Sequence, residues 1–363
     1  MTNHLYIHVP FCLQKCGYCA FYSVVDRDDA VLDRYVEALL GELELRELGG
    51  GRWQTVYFGG GTPSLLGIDR VARLLDKIAP PVDAEVTLEA NPETVTEELL
   101  LGLREAGVNR LSLGVQSFAD DDLRYLGRVH DGHRARRALE LAMQIFARVS
   151  IDFIYGLPGQ TVAGWLDQLE QAVSLGTEHL SAYELTFEPG TPLGNQLGET
   201  PDRTDFFFAT HERLGELGLE GYEVSNFARS AAARSRHNLA TWAYLPYLGL
   251  GPGAHSFSGP GVGAERRWNA PDLPAYLRGG ETRQIPHATE SLTTEQQLLE
   301  RLLLGLRTSM GVATAELPLS DESFCSRLTI AVERGLLRHE REFVKPTLQG
   351  MGLADGLADQ LVG

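Results

Sequence analysis

The chain is poor in positive charge. Lysine and arginine number 32 against 49 aspartates and glutamates, a formal net charge of −17 over 363 residues. That balance disfavours nucleic acid, where affinity comes from cations displacing counterions, and it disfavours an anionic membrane surface for the same reason. Long apolar runs are missing as well: none approaches the roughly 18–20 residues of a membrane span. The opening residues, Met1-Thr2-Asn3-His4, carry no basic stretch leading into an apolar one, so no secretory signal is expected and the expected location is the cytoplasm. Cysteine is scarce. Its four copies are Cys12, Cys16 and Cys19, close together, and Cys325 far away, which excludes a disulfide framework spread along the chain. What is left is an ordinary globular composition, 43% hydrophobic and 22% charged, at a length suited to two domains or one large unit with an extension.

Short and long apolar segments alternate through the first two-thirds. Strands are expected at residues 5–9, 55–58, 86–88, 110–115, 149–155 and 179–185. Helices are expected at 29–48, 68–78, 96–105 (with Thr96 as its cap), 131–146 and 162–175. Such repetition argues for a parallel sheet with helices packed outside it. Six β-then-α units fall short of an eight-fold barrel. The expected fold is therefore α/β, a partial (β/α)6 barrel over residues 1–230, with a doubly wound sheet as the competing geometry. A helix at 204–217 is followed by an extension over 231–284, which holds a Gly/Pro-rich stretch at 245–263 and a linker near 270–284. Residues 285–363 read as a small C-terminal α+β unit. Its helices at 293–306, 323–334 and 352–362, with an extended piece at 343–348, resemble a winged helix. In an acidic chain that shape speaks for packing or partner docking at least as much as for nucleic acid.

The cysteine cluster carries the chemistry. Cys12, Cys16 and Cys19 have the spacing C-x3-C-x2-C directly after the first strand, with Phe11, Tyr18, Phe21 and Tyr22 interleaved. Three thiolates on one short loop can hold three corners of a [4Fe–4S] cubane, leaving one iron open to a substrate ligand. Zinc held by the same three thiolates and a histidine such as His8 is the alternative. Cys325, in an amphipathic helix, reads as a core residue. Polar residues recur at the ends of the strands: Gly59-Gly60-Gly61-Thr62-Pro63, Glu89, Gln116, Asp152 and Glu184 through Thr186. In parallel β/α barrels chemistry sits at those ends.

The cysteine loop resembles the radical S-adenosylmethionine (SAM) superfamily, with Tyr18 as the aromatic before the last cysteine. The longer strings resemble the HemN/HemW family, the oxygen-independent coproporphyrinogen III oxidases and their heme chaperone relatives. They are HVPFC with its two further cysteines, GGGTP, LEANPE, GVQSF, LGRVH, IDFIYGLPGQT, HNLATW and YLGLGPGAHSF, and they span most of residues 4–258. The resemblance implies that one electron from the cluster cleaves SAM to methionine and a 5′-deoxyadenosyl radical. It also implies that Tyr6, Gly60 and Glu89 contact the SAM on the cluster. Tyr18, Gly61, Thr62, Gln116, Arg128, Asp152 and Thr186 would hold a second SAM or a substrate.

Two departures separate this chain from the oxidases and point to the chaperone branch. Phe21 stands where the oxidases have a further cysteine, and the cluster loop begins as early as Cys12, so no preceding segment is expected to cover a porphyrinogen. The chaperone branch carries an H-N-x-x-Y-W motif linked to heme. Here it reads His237-Asn238-Leu239-Ala240-Thr241-Trp242, with Thr241 in place of tyrosine. His237 as axial ligand, Trp242 as stacking ring and His255 in the same cavity are the implied heme residues. The expected cofactors are then a [4Fe–4S] cluster, SAM and heme. The expected partners are heme or porphyrin, acceptor hemoproteins and a flavodoxin- or ferredoxin-type electron donor. Radical SAM decarboxylation of coproporphyrinogen III is the alternative activity.

Overall fold

The structure is a computed structural model. It describes residues 2–26, 28–46, 53–195 and 203–363; residues 47–48 of the expected first helix lie outside these. The chain runs β1 (His4–Val9), α1 (Asp29–Leu45), β2 (Thr55–Gly60), α2 (Gly67–Ile78), β3 (Glu85–Ala90), α3 (Glu97–Glu105), β4 (Arg110–Gln116), α4 (Asp120–Leu126), α5 (Gly132–Ile145), β5 (Val149–Tyr155), α6 (Val162–Ser174), β6 (His179–Glu184) and α7 (Thr204–Glu216). Strands β1 to β6 pair in parallel and lie side by side in chain order. A doubly wound sheet would reverse its order at a switch point. None occurs, so the fold is the partial six-unit barrel.

The strands alternate strictly. Leu5, Ile7, Val56, Phe58, Leu88, Leu111, Leu113, Ile151, Phe153 and Leu180 are fully buried in one core. Their neighbours one residue along face the other way, and those are polar: Thr87, Arg110, Ser112, Ser150, Asp152, His179 and Ser181 line the barrel cavity. Because side chains in a strand have a period of two, each strand sends its apolar set to the outer helices and its polar set inward. A parallel sheet covered on both faces normally reads as continuous apolar runs. This barrel is instead built around a wet interior. Helices α3, α5 and α6 begin on side-chain caps: Thr96 accepts from Leu99 N–H, Asp131 from Arg134 N–H and Thr161 from Gly164 N–H. Helix α4 escapes the periodicity argument because it is short, opens on three aspartates and buries only Leu123 and Leu126.

Past the barrel come β7 (Glu220–Gly221), β8 (Asn226–Ala228), α8 (Arg236–Trp242), β9 (Leu248–Leu250), β10 (His255–Phe257), β11 (Glu265–Asn269), α9 (Leu273–Thr282) and β12 (His287–Ser291). Strands β7 and β8 extend the sheet antiparallel beyond β6, and β9 extends it parallel beyond β1. Strands β10, β11 and β12 form a separate antiparallel sheet. The linker expected at 270–284 is corrected to helix α9, which buries Leu273, Tyr276 and Leu277. Its glycines mark close packing rather than slack: a Cβ on Gly280 would lie 2.5 Å from that of Ala38 in α1.

The C-terminal unit contains α10 (Thr294–Gly305), β13 (Val312–Ala313), α11 (Glu322–Glu333), β14 (Leu337–Glu340), β15 (Phe343–Pro346), α12 (Leu348–Gly352) and α13 (Ala354–Val362). Leu302, Phe324, Leu328, Val344 and Leu361 form its own core, and the β14–β15 hairpin is the wing. Cys325 is not in that core. Helix α11 turns Phe324 and Leu328 inward, which leaves the intervening thiol half-buried and aimed at the Leu319 carbonyl, 3.3 Å away.

Candidate radical SAM site

The cysteine loop leaves β1 and is tied down at both ends. Val24 N–H donates to Pro10 O (2.7 Å), Cys12 N–H donates to Val24 O (2.9 Å), and Gly17 N–H donates to Leu126 O (3.2 Å) at the end of α4. The glycine-rich turn after β2 lies against it, with Gly61 N–H donating to Val9 O and Thr62 N–H to Phe11 O, both at 2.7 Å. Side chains at two of these glycines would block the site. Gly60 has φ +113°, and a Cβ there would meet the His8 ring at 2.7 Å; one on Gly61 would lie 2.6 Å from Phe11 O and 3.0 Å from Cys12 Sγ.

Cys12, Cys16 and Cys19 line the mouth of one cavity of about 500 Å³. Tyr18, Gly60, Gly61, Thr62, Glu89, Gln116, Arg128, Asp152 and Thr186 line the same cavity, so the structure brings together nine of the ten residues named for SAM. Tyr6 is the exception. It lies behind the wall, its ring stacked on Tyr57 at 6.1 Å and its hydroxyl donating to His8 Nδ1 at 3.1 Å. Gln116 reaches the cavity through an irregularity: β4 shifts register against β5 between Leu113 and Gln116, and Gln116 sits at φ +66°. A bulge at a strand end re-aims a side chain, and a left-handed non-glycine residue is a strained one.

Arg128, Glu89 and Asp152 are charged groups that face inward. Arg128 donates from Nη2 to Asn91 Oδ1 and to Gly114 O, each at 2.7 Å, and its Nη1 lies 3.4 Å from Cys16 Sγ. A Cβ on Gly114 would stand 2.6 Å from Asn91 Oδ1, so glycine makes room for this arrangement. Glu89 accepts from Tyr57 OH (2.8 Å) and from Gly60 N–H (3.2 Å). Burial, with Asp152 nearby, pushes its carboxyl up to about 7. Asp152, which accepts from Ser112 OH at 3.1 Å, is raised by burial as well.

The heme residues are not gathered at this mouth. His237 is 7% exposed and sits at the opposite end, on the floor formed by the first residues of the strands. Its Nδ1 lies 2.8 Å from Thr55 Oγ1, its backbone N–H donates to Glu85 Oε1 (3.1 Å), and its ring lies 4.9 Å from that of Tyr57. In this structure the ring is a packed wall element. Trp242, at the far end of the same helix, is half-buried in a separate cleft, and His255 is exposed and stacked on Trp268 at 5.8 Å. Residues that the motifs left out are Tyr57, Arg110, Ser150, His179 and Tyr183, all lining the cavity. The strict alternation of the strands was the signal for them.

Among the described residues, no group of three or more His, Cys, Asp or Glu is arranged to hold a metal ion. The group to test against the three thiols is the [4Fe–4S] cluster that their spacing suits. Soft sulfur donors at a common cavity mouth, a cradle at Gly61 that a Cβ would fill, and a guanidinium beside Cys16 all fit one.

A thiol-bearing loop at the mouth of a six-unit barrel defines the class, and residues 6–172 match the model of the Radical SAM superfamily. Over 379 residues the chain is 38% identical to the heme chaperone HemW of Mycobacterium tuberculosis, covering 99% of this chain and 94% of that one. It is 34% identical to the heme chaperone HemW of Bacillus subtilis, with 99% and 98% covered. The solved coproporphyrinogen III oxidase (HemN) from Escherichia coli shares its fold, with a TM-score of 0.84 at 23% identity over 99% of this chain and 90% of that one. The chain belongs to the HemN/HemW family of radical SAM proteins. Membership implies a [4Fe–4S] cluster and SAM. No helix among the described residues is long and apolar enough to cross a membrane.

Proposed function

We propose that the chain is a heme chaperone: it holds a [4Fe–4S] cluster and SAM at the barrel mouth, binds heme, and passes heme to acceptor hemoproteins. The observation that carries this reading is the near full-length identity to proteins named heme chaperone HemW. Phe21 supports it. Where the oxidase pattern has a further cysteine, this chain exposes 66% of a phenylalanine at the rim. Cys12, Cys16 and Cys19 hold the cluster, which supplies one-electron chemistry to bound SAM. Glu89 receives the amino end of SAM beside the glycine turn, and Arg128 and Asp152 orient the rest of the ligand. Electrons come from a small flavodoxin- or ferredoxin-type carrier. Trp242 and His255 are the heme residues within reach of solvent.

The test is anaerobic reconstitution followed by two assays on the same preparation. A stable heme complex that donates heme to an apo-hemoprotein, with no conversion of coproporphyrinogen III, is the expected result. Conversion to protoporphyrinogen without a stable heme complex would overturn it in favour of the oxidase.

A further inference from the structure

Strand register sets a row of polar side chains across the sheet. Asp152 of β5 pairs with Ser181 of β6, and Ser181 pairs with Asn226 of β8, so the three side chains share one face. The row starts in the thiol-lined cavity, which Asp152 and Ser181 line, and ends in the wall of the cleft beside Trp242, which Asn226 lines with Glu223. Ser181 Oγ donates to Asn226 Oδ1 at 2.8 Å, and Asn226 Nδ2 donates to the fully buried Glu223 carboxylate. The backbone around Glu223 is joined to the C-terminal unit. Val224 N–H donates to Arg307 O (2.8 Å), Ser309 N–H donates to Tyr222 O (3.1 Å), and Glu223 faces Thr308 in the bridge between them.

A serine hydroxyl has one proton to give. Two acceptors face that of Ser181: Asn226 Oδ1 and the Asp152 carboxylate. Burial raises the proton affinity of Asp152, and hydrogen bonds from Ser181 and Ser112 oppose the rise. Ser112 alone, at 3.1 Å, does not fill the acceptor sites of a carboxylate. Tyr183 also touches Ser181, but its hydroxyl brings a proton of its own. Ser181 and Asn226 are 2% and 3% exposed, so solvent does not stand in for a missing donor.

We propose that Ser181 and Asn226 are positioning residues for Asp152, and that the row they form transmits occupancy of the SAM cavity to the seam that holds the C-terminal unit. The proposal rests on the reading of Asp152 as a group that orients the ligand, and goes past it by giving that carboxylate a consequence outside the cavity. A ligand that brings donors of its own, such as ribose hydroxyls, meets the demand of the carboxylate. Ser181 then gives its proton to Asn226, Asn226 keeps both of its bonds, and Glu223 stays fixed against Thr308. Without such donors the carboxylate competes for the proton, and Asn226 Oδ1 is left unpaired part of the time. One proton between two acceptors is a discrete two-way element that both ends of the row bias. By linkage, a firmer seam favours the ligand by the same factor as the ligand favours the seam.

The test uses the full chain, anaerobically reconstituted, with SAM as the titrant. Hydrogen exchange is read at the Val224 and Ser309 amides, and SAM affinity by isothermal titration. In the wild type, saturating SAM is expected to slow exchange at both amides severalfold and to leave helix α2, outside the row, unchanged. Ser181→Ala should abolish that protection, and Ser181→Thr, which keeps the hydroxyl, should restore it. Ser112→Ala is the control: it takes a donor from the same carboxylate outside the row, so SAM affinity changes while the protection remains. Asp152→Asn should bind SAM about tenfold more weakly, roughly the worth of a lost charged hydrogen bond. Circular dichroism checks that each variant is folded, and the wild-type comparison needs no variant. If SAM binds and the two amides do not respond, or if Ser181→Ala keeps the protection, the row is overturned and the reading of the cavity stands. If SAM does not bind, or Asp152→Asn binds it as tightly as the wild type, the reading of the cavity itself fails.

Discussion

The two ends of the barrel are built from the same six strands and behave oppositely. At the floor, most polar side chains pair with their neighbours, although Arg110 Nη2 and Glu85 Oε2 are left without a hydrogen bond. Thr55 Oγ1 lies 3.0 Å from His4 Nδ1 and 2.8 Å from His237 Nδ1, His179 is held between Ser150 and Tyr222 OH, and Arg110 donates to Ala233 O at 2.9 Å. At the mouth, the backbone makes room instead. Glycines stand where a Cβ would collide, Gln116 is held at positive φ, and Glu89 and Asp152 are kept at raised proton affinity by burial. A polar group whose hydrogen bonds are met by its neighbours holds structure. A strained residue, or a carboxyl held away from its ordinary ionisation on the wall of an open cavity, stores free energy that a ligand there can release.

The sharpest way to break this contrast is to remove a thiol. Cys16→Ser is expected to abolish iron–sulfur absorbance after anaerobic reconstitution while leaving the unfolding midpoint of the unloaded protein nearly unchanged, because a serine hydroxyl can take over the contact that Arg128 Nη1 makes with that sulfur (3.4 Å). Retention of a full cluster would remove the trio from the site. Gly61→Ala comes next. A Cβ 2.6 Å from Phe11 O and 3.0 Å from Cys12 Sγ must push the cysteine loop aside. Overpacking of this kind costs about 1–3 kcal/mol. Iron content per chain should fall severalfold, and normal loading would show that the turn does not shape the cradle.

Most of this contrast was readable before the fold was known, though not all of it. Strands β1–β6 lie within a residue or two of their expected bounds because each is a short apolar alternation closed by glycine, proline or a cap. The mouth residues were found because motifs concentrate at strand ends. The floor was not found, since His4, Thr55, Arg110 and His179 look unremarkable one by one and only strand register sets them in a layer. The setting of His237 is hidden in the sequence for a related reason. A histidine in a short motif carries no mark of whether its helix turns it outward or, as here, down onto Thr55. Helix α9 is hidden by Gly279 and Gly280, which sequence logic scores as breaks and tertiary packing uses for close contacts, Gly279 with Gln284 O and Gly280 with Ala38 of α1.

The effect of pH on SAM binding sharpens the mouth side of the comparison. Burial lifts the Glu89 carboxyl from 4.5 to about 7. A cationic amino group favours the ionised form, so SAM affinity should rise with pH up to about 7 and level off above it, by at most about tenfold per pH unit on the acid side. The same shift opposes folding. The unfolded chain gives up this proton near 4.5, so Glu89's contribution to stability falls between there and about 7. Glu89→Gln should flatten both profiles and weaken SAM by about tenfold or more, roughly the worth of a lost charged hydrogen bond. Isothermal titration across that window, with and without the substitution, checks it; an unchanged slope in the variant would assign the dependence to another group.

The smallest expected effect belongs to the floor and concerns stability alone. Thr55→Val keeps the shape of the side chain and removes the hydroxyl that donates to one imidazole and accepts from the other. Two buried ring nitrogens then lose a partner, at a cost of about 1–3 kcal/mol. The denaturant midpoint should drop accordingly, while iron content and SAM affinity stay at wild-type values, since Thr55 does not line the mouth cavity. Acid should deepen the loss. Burial lowers the His237 imidazole to about 3, so its neutral form stabilises the fold above the ordinary value of 6.5 and that contribution is lost as pH falls below it. Replacing His237 with phenylalanine should remove part of this acid sensitivity. A change in SAM affinity with either substitution would mean that the two ends are coupled through the strands, and the division between a structural floor and a working mouth would have to be abandoned.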